Sequence, residues 1–394
     1  MDRFGDKVCC NPTVKLKKQE SYPVIDIDKI TPGYKAVRSV ASIEYTGQGG
    51  AKFQDHDVLF ARITPCLENG KMAIADTEGQ NGIGSTELFV FRGIDGVSDT
   101  DYVYYLLCMK HTRQLAANSM TGASGRQRAD LDFIKRIQWD FPDIEMQKKI
   151  ASVLSAYDNL IEVNNKRIKV LEQIAENLYK EWFVRFRFPG HETAEFENGI
   201  PEGWAYRRAD EVIDFNPTLK TGNQTEFTII PMEALSTNSM VLDSGCFVRQ
   251  DSISGRRSQN GDTLLAKITP CLENGKTGFV MGMPENEVLG GSTEFVVMRS
   301  KALTPHYVYC IARSYYFRQT AILSMNGADG RQRVDEDKLK SAKILQPEKT
   351  VLDHFETIVT PIFDGVYQMV QENKNLIQQR DLLLPRLMSG KLEV

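Results

Sequence analysis

No run in this chain is apolar over the roughly 18 residues that a membrane-crossing helix needs, and Met1-Asp2-Arg3-Phe4-Gly5 lacks the apolar core of a secretory leader. A spanning or exported protein is not expected. The seven cysteines are odd in number and include no Cys-x-x-Cys pair. That argues against a zinc site or a disulfide framework, and for reduced thiols in a cytoplasm. The five histidines (His56, His111, His191, His306, His354) show no metal-ligand spacing, so no metal site is expected. A basic excess is missing too. The net charge of −4 counts against nucleic-acid binding through overall basicity, but leaves room for a local basic face.

Catalytic signatures are also missing. No Gly-x-x-x-x-Gly-Lys-[Ser/Thr] loop is present. Gly275-Lys276-Thr277 ends like one, but Pro270 and Cys271 stand where its flexible start belongs. No Gly-x-Gly-x-x-Gly follows a strand. Asn11-Pro12-Thr13 and Asn216-Pro217-Thr218 lack the second proline and the aromatic of an amino-methyltransferase motif. Asp143, Glu145 and Lys148 have the wrong spacing for a nuclease site and read as a charged first helical turn. The chain is expected to catalyse nothing.

What the sequence does contain is itself, twice. Ile63-Thr64-Pro65-Cys66-Leu67-Glu68-Asn69-Gly70-Lys71 recurs without change as Ile268-Thr269-Pro270-Cys271-Leu272-Glu273-Asn274-Gly275-Lys276, 205 residues on. The same offset relates Asn11-Pro12-Thr13 to Asn216-Pro217-Thr218 and Tyr102-Val103-Tyr104 to Tyr307-Val308-Tyr309. It also relates the Gly122–Arg128 loop to Gly327–Arg333. Ser85-Thr86-Glu87 meets Ser292-Thr293-Glu294 at 207, so the second copy carries two extra residues. So long a period marks a domain duplication. Residues 14–56 and 219–261 barely match. Cys66 and Cys271 repeat without a partner histidine and are expected to be small buried core residues.

Each copy reads as a mixed α/β domain. Asp57–Ile63 and Asp262–Ile268 alternate as strands. Glu87–Phe91 and Glu294–Met298 are a second pair. A tyrosine-rich helix is expected over about residues 100–117 and 304–323, then a Gly-rich basic loop and a last strand at Ile137–Trp139. Afterwards the apolar period changes to three and four, the coiled-coil pattern. The first seam is Ile150, Val153, Tyr157, Leu160, Ile168, Leu171 and Leu178. The second is Leu352, Phe355, Val359, Ile362, Val366, Met369, Leu376, Leu383 and Leu387, with Asn373 and Arg380 in register. Pro361 predicts a kink, or a restart near Thr360. Residues 188–204 read as a punctuated linker. The expected domains are 1–141, a helix over 142–187, 188–346 and a helix over 347–394. The two helices bury their seams most simply against each other, as an antiparallel coiled coil with pseudo-two-fold symmetry. About 35 helical residues span about 50 Å.

This order of parts resembles the specificity subunits of type I restriction–modification enzymes. The Ile-Thr-Pro-Cys-Leu-Glu-Asn-Gly-Lys segments are similar to segments of that family. So are Gly84-Ser85-Thr86-Glu87-Leu88, Gly291-Ser292-Thr293-Glu294-Phe295 and the ending Leu382–Leu392. The likeness covers essentially the whole chain. The first copy has no counterpart of Ile200–Trp204, so its amino-terminal edge is expected to be less complete. The resemblance implies two target-recognition domains, each reading one half of a bipartite asymmetric double-stranded DNA target. It implies helices that set half-site spacing and dock two methyltransferase subunits, with restriction–translocase subunits joining them. It places S-adenosylmethionine, ATP and Mg in those partners and no cofactor here. Half-sites about 34–36 Å apart, one helical turn, are the usual geometry of such readers.

The diverged stretches then hold the candidate readers: Lys15, Lys17, Lys18, Lys35, Arg38 and Lys52 in copy one, and Lys220, Asn223, Gln224, Arg249, Gln250, Arg256 and Arg257 in copy two. Arg suits guanine, and Asn or Gln suits adenine, in the major groove. The repeated Arg126, Arg128, Arg331 and Arg333, with Lys71 and Lys276, cannot encode a difference between halves. They are candidate phosphate contacts or structural ion pairs. A scaffold that uses the coiled coil without DNA, and a self-contained methyltransferase or nuclease, are the competing readings.

Overall fold

The computed structural model describes residues 1–123, 125–328 and 330–393, so Ser124 and Asp329 of the repeated loops lie outside the described residues. The chain folds as two units, Met1–Val163 with Asn373–Val394, and Asn164–Glu372.

In the first unit a five-stranded sheet runs in the order Val8–Cys10, Leu88–Gly93, Val58–Ala61, Met72–Asp76, Ala36–Arg38. The central strand alternates between two cores. Val58 and Phe60 face a cluster with Phe4, Phe89, Phe91 and the tyrosine helix, while Leu59 faces Ile25, Phe53 and Val90. A strand buried on both faces needs this apolar continuity. A second sheet runs Ser42–Glu44, Ser21–Ile25, Gly82–Gly84, Ala51–Phe53. Its inner pair is parallel and its outer pairs antiparallel.

The second unit repeats this plan. One sheet runs Ile213–Phe215, Phe295–Ser300, Thr263–Ala266, Thr277–Phe279, and the other runs Val248–Gln250, Phe227–Ile230, Leu289–Gly291, Arg256–Ser258. The second sheet again has a parallel inner pair and antiparallel outer pairs. Strand order therefore persists where the sequences have drifted.

Several repeated residues now have structural reasons. Asn11 and Asn216 adopt left-handed φ of 49° and 53°, which asparagine tolerates better than most residues. Each side chain accepts from the N–H of Val90 or Val297 at 2.9 and 3.0 Å, and each backbone N–H donates to the same residue's carbonyl at 2.7 Å. Asp57 and Asp262 are buried and forked by Arg92 and Arg299. In the Ile-Thr-Pro-Cys-Leu segments the buried residue is the leucine, Leu67 or Leu272. Cys66 and Cys271 are half-buried, which corrects the core reading.

The tyrosine helix is two helices in each copy: Thr100–Cys108 and Lys110–Asn118, then Pro305–Arg313 and Tyr315–Leu323. Met109 and Ser314 are extended at the break, and Ser314 caps the second helix by accepting from the Phe317 N–H. The amino-terminal edge ladder has two residues in copy one, Asp2–Arg3 with Gln138–Trp139, against four in copy two, Ala205–Arg208 with Lys343–Gln346. Residues 188–204 are no loose linker. Phe188 stacks 4.9 Å from Trp204, and both are buried in the second unit's core.

The long helices are Ile144–Tyr179 (α1) and Lys349–Met388 (α2). Within the second unit, Asn164 donates to Glu372, and Trp182 meets Phe355. Rising numbers on α1 meet falling numbers on α2, so the pair is antiparallel. Within the first unit, Ile150 and Leu154 share a core with Leu384 and Leu387. The start of the α1 seam is corrected. Leu160 is exposed and Val153 and Tyr157 are only partly buried, while Leu154, Asp158 and Ile161 are buried. The apolar pattern misled because the buried position is a carboxylate, Asp158, paired with Arg380. α2 continues through Pro361 without a restart. Phe355, Val359, Phe363 and Val366 are fully buried on either side, and that packing outweighs one lost backbone hydrogen bond.

Candidate nucleic-acid interface

In each unit two repeated loops are laced together. The Thr64 N–H donates to the Gln127 carbonyl at 3.0 Å, and the Gln127 N–H donates to Thr64 Oγ1 at 3.1 Å. Thr269 and Gln332 repeat both bonds at 3.1 Å. Beside them, Arg128 forks Glu87 through Nε and Nη2 at 2.9 and 2.5 Å, and Arg333 forks Glu294 at 2.9 and 2.7 Å. The guanidinium holds each glutamate below the ordinary carboxylate range. Ala51 N–H donates to the Ser85 carbonyl, which brings the diverged second sheet to the edge of this cluster.

Four of the six repeated cations therefore have internal partners. Arg128 and Arg333 hold glutamates, and Lys71 and Lys276 donate to the carbonyls of Ile27 and Met232 at 2.9 and 3.1 Å. That geometry favours structural roles for these four. Arg126 and Arg331 are exposed at the loop tips and make no side-chain hydrogen bond to another described residue.

The copy-one readers divide in the same way. Lys15, Lys17 and Lys18 are exposed, Lys17 near Glu20 at 3.5 Å. Arg38 is exposed but pairs with Asp76 and Glu78. Lys52 donates to the Tyr45 hydroxyl at 2.7 Å and lies over its ring. Lys35 is corrected outright: its ammonium meets Asp101 at 2.6 Å and Ser155 at 2.7 Å. Burial works to raise the Asp101 carboxyl, but His56 and Lys35 outweigh it and hold it down at about 2. This group seats the domain on α1.

In copy two, Lys220, Asn223 and Gln250 are exposed. Arg249 is exposed and reaches Glu287 at 3.4 Å. Gln224 is corrected to a structural role, because its amide pairs with both backbone groups of Val288 at 2.8 and 3.2 Å. Arg257 donates to the Leu219 carbonyl. Arg256 meets Glu336 at 2.7 Å, and the same carboxylate takes Lys267 at 2.9 Å and the Asn216 amide at 2.8 Å.

Sequence reading missed Glu336, Lys267 and Arg62. A signal existed. Glu336 and Lys267 stand where the first copy has Leu131 and Arg62, a coupled exchange inside otherwise matching segments. Among the described residues no cluster of histidine, cysteine and carboxylates could hold a metal, and no helix is long and apolar enough to cross a membrane.

Comparison with known proteins agrees with this layout. Residues 9–173 match the type I restriction modification DNA specificity domain. The type I restriction enzyme MjaVIII specificity subunit of Methanocaldococcus jannaschii is 23% identical across 100% of this chain and 92% of its own length. The MjaIX specificity subunit of the same organism is 26% identical, covering 77% of this chain and 72% of its own. The crystal structure of the type I restriction-modification system S subunit from M. genitalium superposes with a TM-score of 0.56 at 13% identity, over 98% of this chain and 95% of that one. This last likeness is one of fold.

Proposed function

We propose that this chain, which belongs to the type I restriction–modification specificity-subunit family, reads a bipartite, asymmetric double-stranded DNA target, one half with each domain. One observation carries the reading. The second sheet has the same strand order in both domains, although residues 14–56 and 219–261 no longer match. A constant frame with changed surface chemistry is what two different half-sites require.

In this reading Arg126 and Arg331 meet phosphates, which position the domains without encoding sequence. Lys15, Lys17, Lys18 and Arg38 in the first domain, and Lys220, Asn223, Arg249 and Gln250 in the second, carry the differences between half-sites. The antiparallel helices set half-site spacing and dock two methyltransferase subunits in the cytoplasm. Adenine methylation with S-adenosylmethionine, and cleavage with ATP and Mg by restriction subunits, belong to those partners. With a net charge of −4, much of the grip on phosphate comes from them as well.

The test is to co-express the chain with its modification subunit and map methylated adenines genome-wide. One split motif is expected. Transplanting residues 219–261 in place of 14–56 should then change only one half of it. Methylation independent of this chain, or no motif with any partner, would end the reading.

A further inference from the structure

We propose that the Arg62 guanidinium is a phosphate contact of the first half-site that the second domain does not reproduce. The inference rests on the DNA-reading function above and adds a residue to it.

Arg62 sits at the root of the Ile-Thr-Pro loop. Its N–H donates to the Glu87 carbonyl at 2.9 Å, and its carbonyl accepts from Ala129 at 2.8 Å. Ile63 beside it bridges to Arg128. The backbone is therefore fixed within the laced loops that carry Arg126. The guanidinium lies over the Phe89 ring, 4.7 Å from its centroid, and a cation on an aromatic face is held in orientation. Its Nε is buried without a hydrogen-bond acceptor. The nearby Glu87 carboxylate feels Arg62 but is already forked by Arg128. Arg62 is half-buried as a whole; its Nε is closed off from solvent, so a phosphate would be forked by the two Nη groups of this planar, already oriented donor.

The second domain shows what a satisfied version looks like. Lys267, Val296 and Glu336 replace Arg62, Phe89 and Leu131. The stacking ring is gone, and Glu336 takes both Lys267 and Arg256. Both clusters carry one more cation than carboxylate, so net charge does not separate them. Availability does: every cation around Glu294 and Glu336 has a carboxylate partner, and Arg62 has no forked one.

The test measures DNA affinity against salt for the chain bound to its modification subunit, with wild type, Arg62→Gln, Arg62→Lys and Lys267→Gln compared. Arg62→Gln is expected to weaken binding about tenfold and to reduce the log–log salt slope by about one, alike on target and scrambled DNA. Arg62→Lys keeps the charge and loses the fork, so it should keep the slope and lose about threefold. Lys267→Gln should leave the slope unchanged. If Arg62→Gln does not fold, Arg62→Lys decides, and unchanged affinity there overturns the proposal. So does an unchanged slope in folded Arg62→Gln, or a loss confined to discrimination at one base pair, which would make Arg62 a base reader. Wild type that protects no site would bring down the function itself; wild-type protection with an unaltered Arg62→Gln overturns this inference alone.

Discussion

Arg380 Nη1 donates to Asp158 Oδ1 at 2.5 Å inside the first unit, with side chains 11% and 4% exposed. Tyr105 closes the other carboxylate oxygen. One repeat period away stand Phe363 and Ala175, both buried in the apolar core of the second unit. The same place on the duplicated frame is ionic in one unit and apolar in the other. A buried ion pair is weak evidence for stability, and its best-attested use is to fix register. Here it would fix the register of α1 against α2.

Removing one partner leaves an uncompensated buried charge. Asp158→Ala is expected to cost about 3–5 kcal/mol in the first unit's unfolding transition. The double variant Asp158→Phe with Arg380→Ala, which installs the residues of the other unit, should recover most of that loss. Denaturant unfolding followed by fluorescence measures both. A double variant less stable than the single one would show that the two seats are not interchangeable.

Acid should loosen the first unit through Asp101. Its folded pKa is depressed to about 2 from 3.8, so its stabilising contribution is present above about pH 4 and lost as pH falls towards 2. Asp101→Asn should be less stable at neutral pH and should lack this step in an acid titration. The same step in wild type and variant would assign it elsewhere.

The second unit carries the opposite linkage. Burial raises the Glu172 carboxyl, although its Oε1 accepts from the Met240 N–H at 2.7 Å. A raised carboxyl favours the neutral form. Its contribution is full below the ordinary glutamate range and falls as pH rises through the folded value. Glu172→Gln, which can still accept from Met240, should flatten that part of the pH–stability profile measured by thermal melts. A profile unchanged by the substitution would refute the assignment.

Gly50 and Gly255 are equivalent glycines inside the diverged stretches. A Cβ on Gly255 would lie 1.8 Å from the Gly291 carbonyl oxygen, and one on Gly50 would lie 2.4 Å from that of Gly84, with φ of +73° and +130°. Alanine at either should cost on the order of 1–3 kcal/mol from backbone strain and weaken the half-site of its own domain only. Loss of both half-sites from one substitution would show that the domains do not read separately.

The sequence alone determined the duplication, the mixed α/β class and the two seam helices. Identical segments at one offset and a three-four apolar period are local patterns, and local patterns survive in a one-dimensional string. It also separated the matching frame from the drifted stretches. Only the tertiary structure decided which cations are available. Lys35, Gln224, Arg128 and Arg256 look like free polar side chains in sequence, yet each meets a partner distant along the chain: Asp101, Val288, Glu87 and Glu336. The start of the seam departs from the apolar pattern for the same reason. A buried Asp158 makes sense only beside Arg380, over two hundred residues away. An apolar side chain announces its burial, because almost any apolar neighbour will serve. A charged one is buried or exposed according to one specific partner, and folding alone brings that partner near.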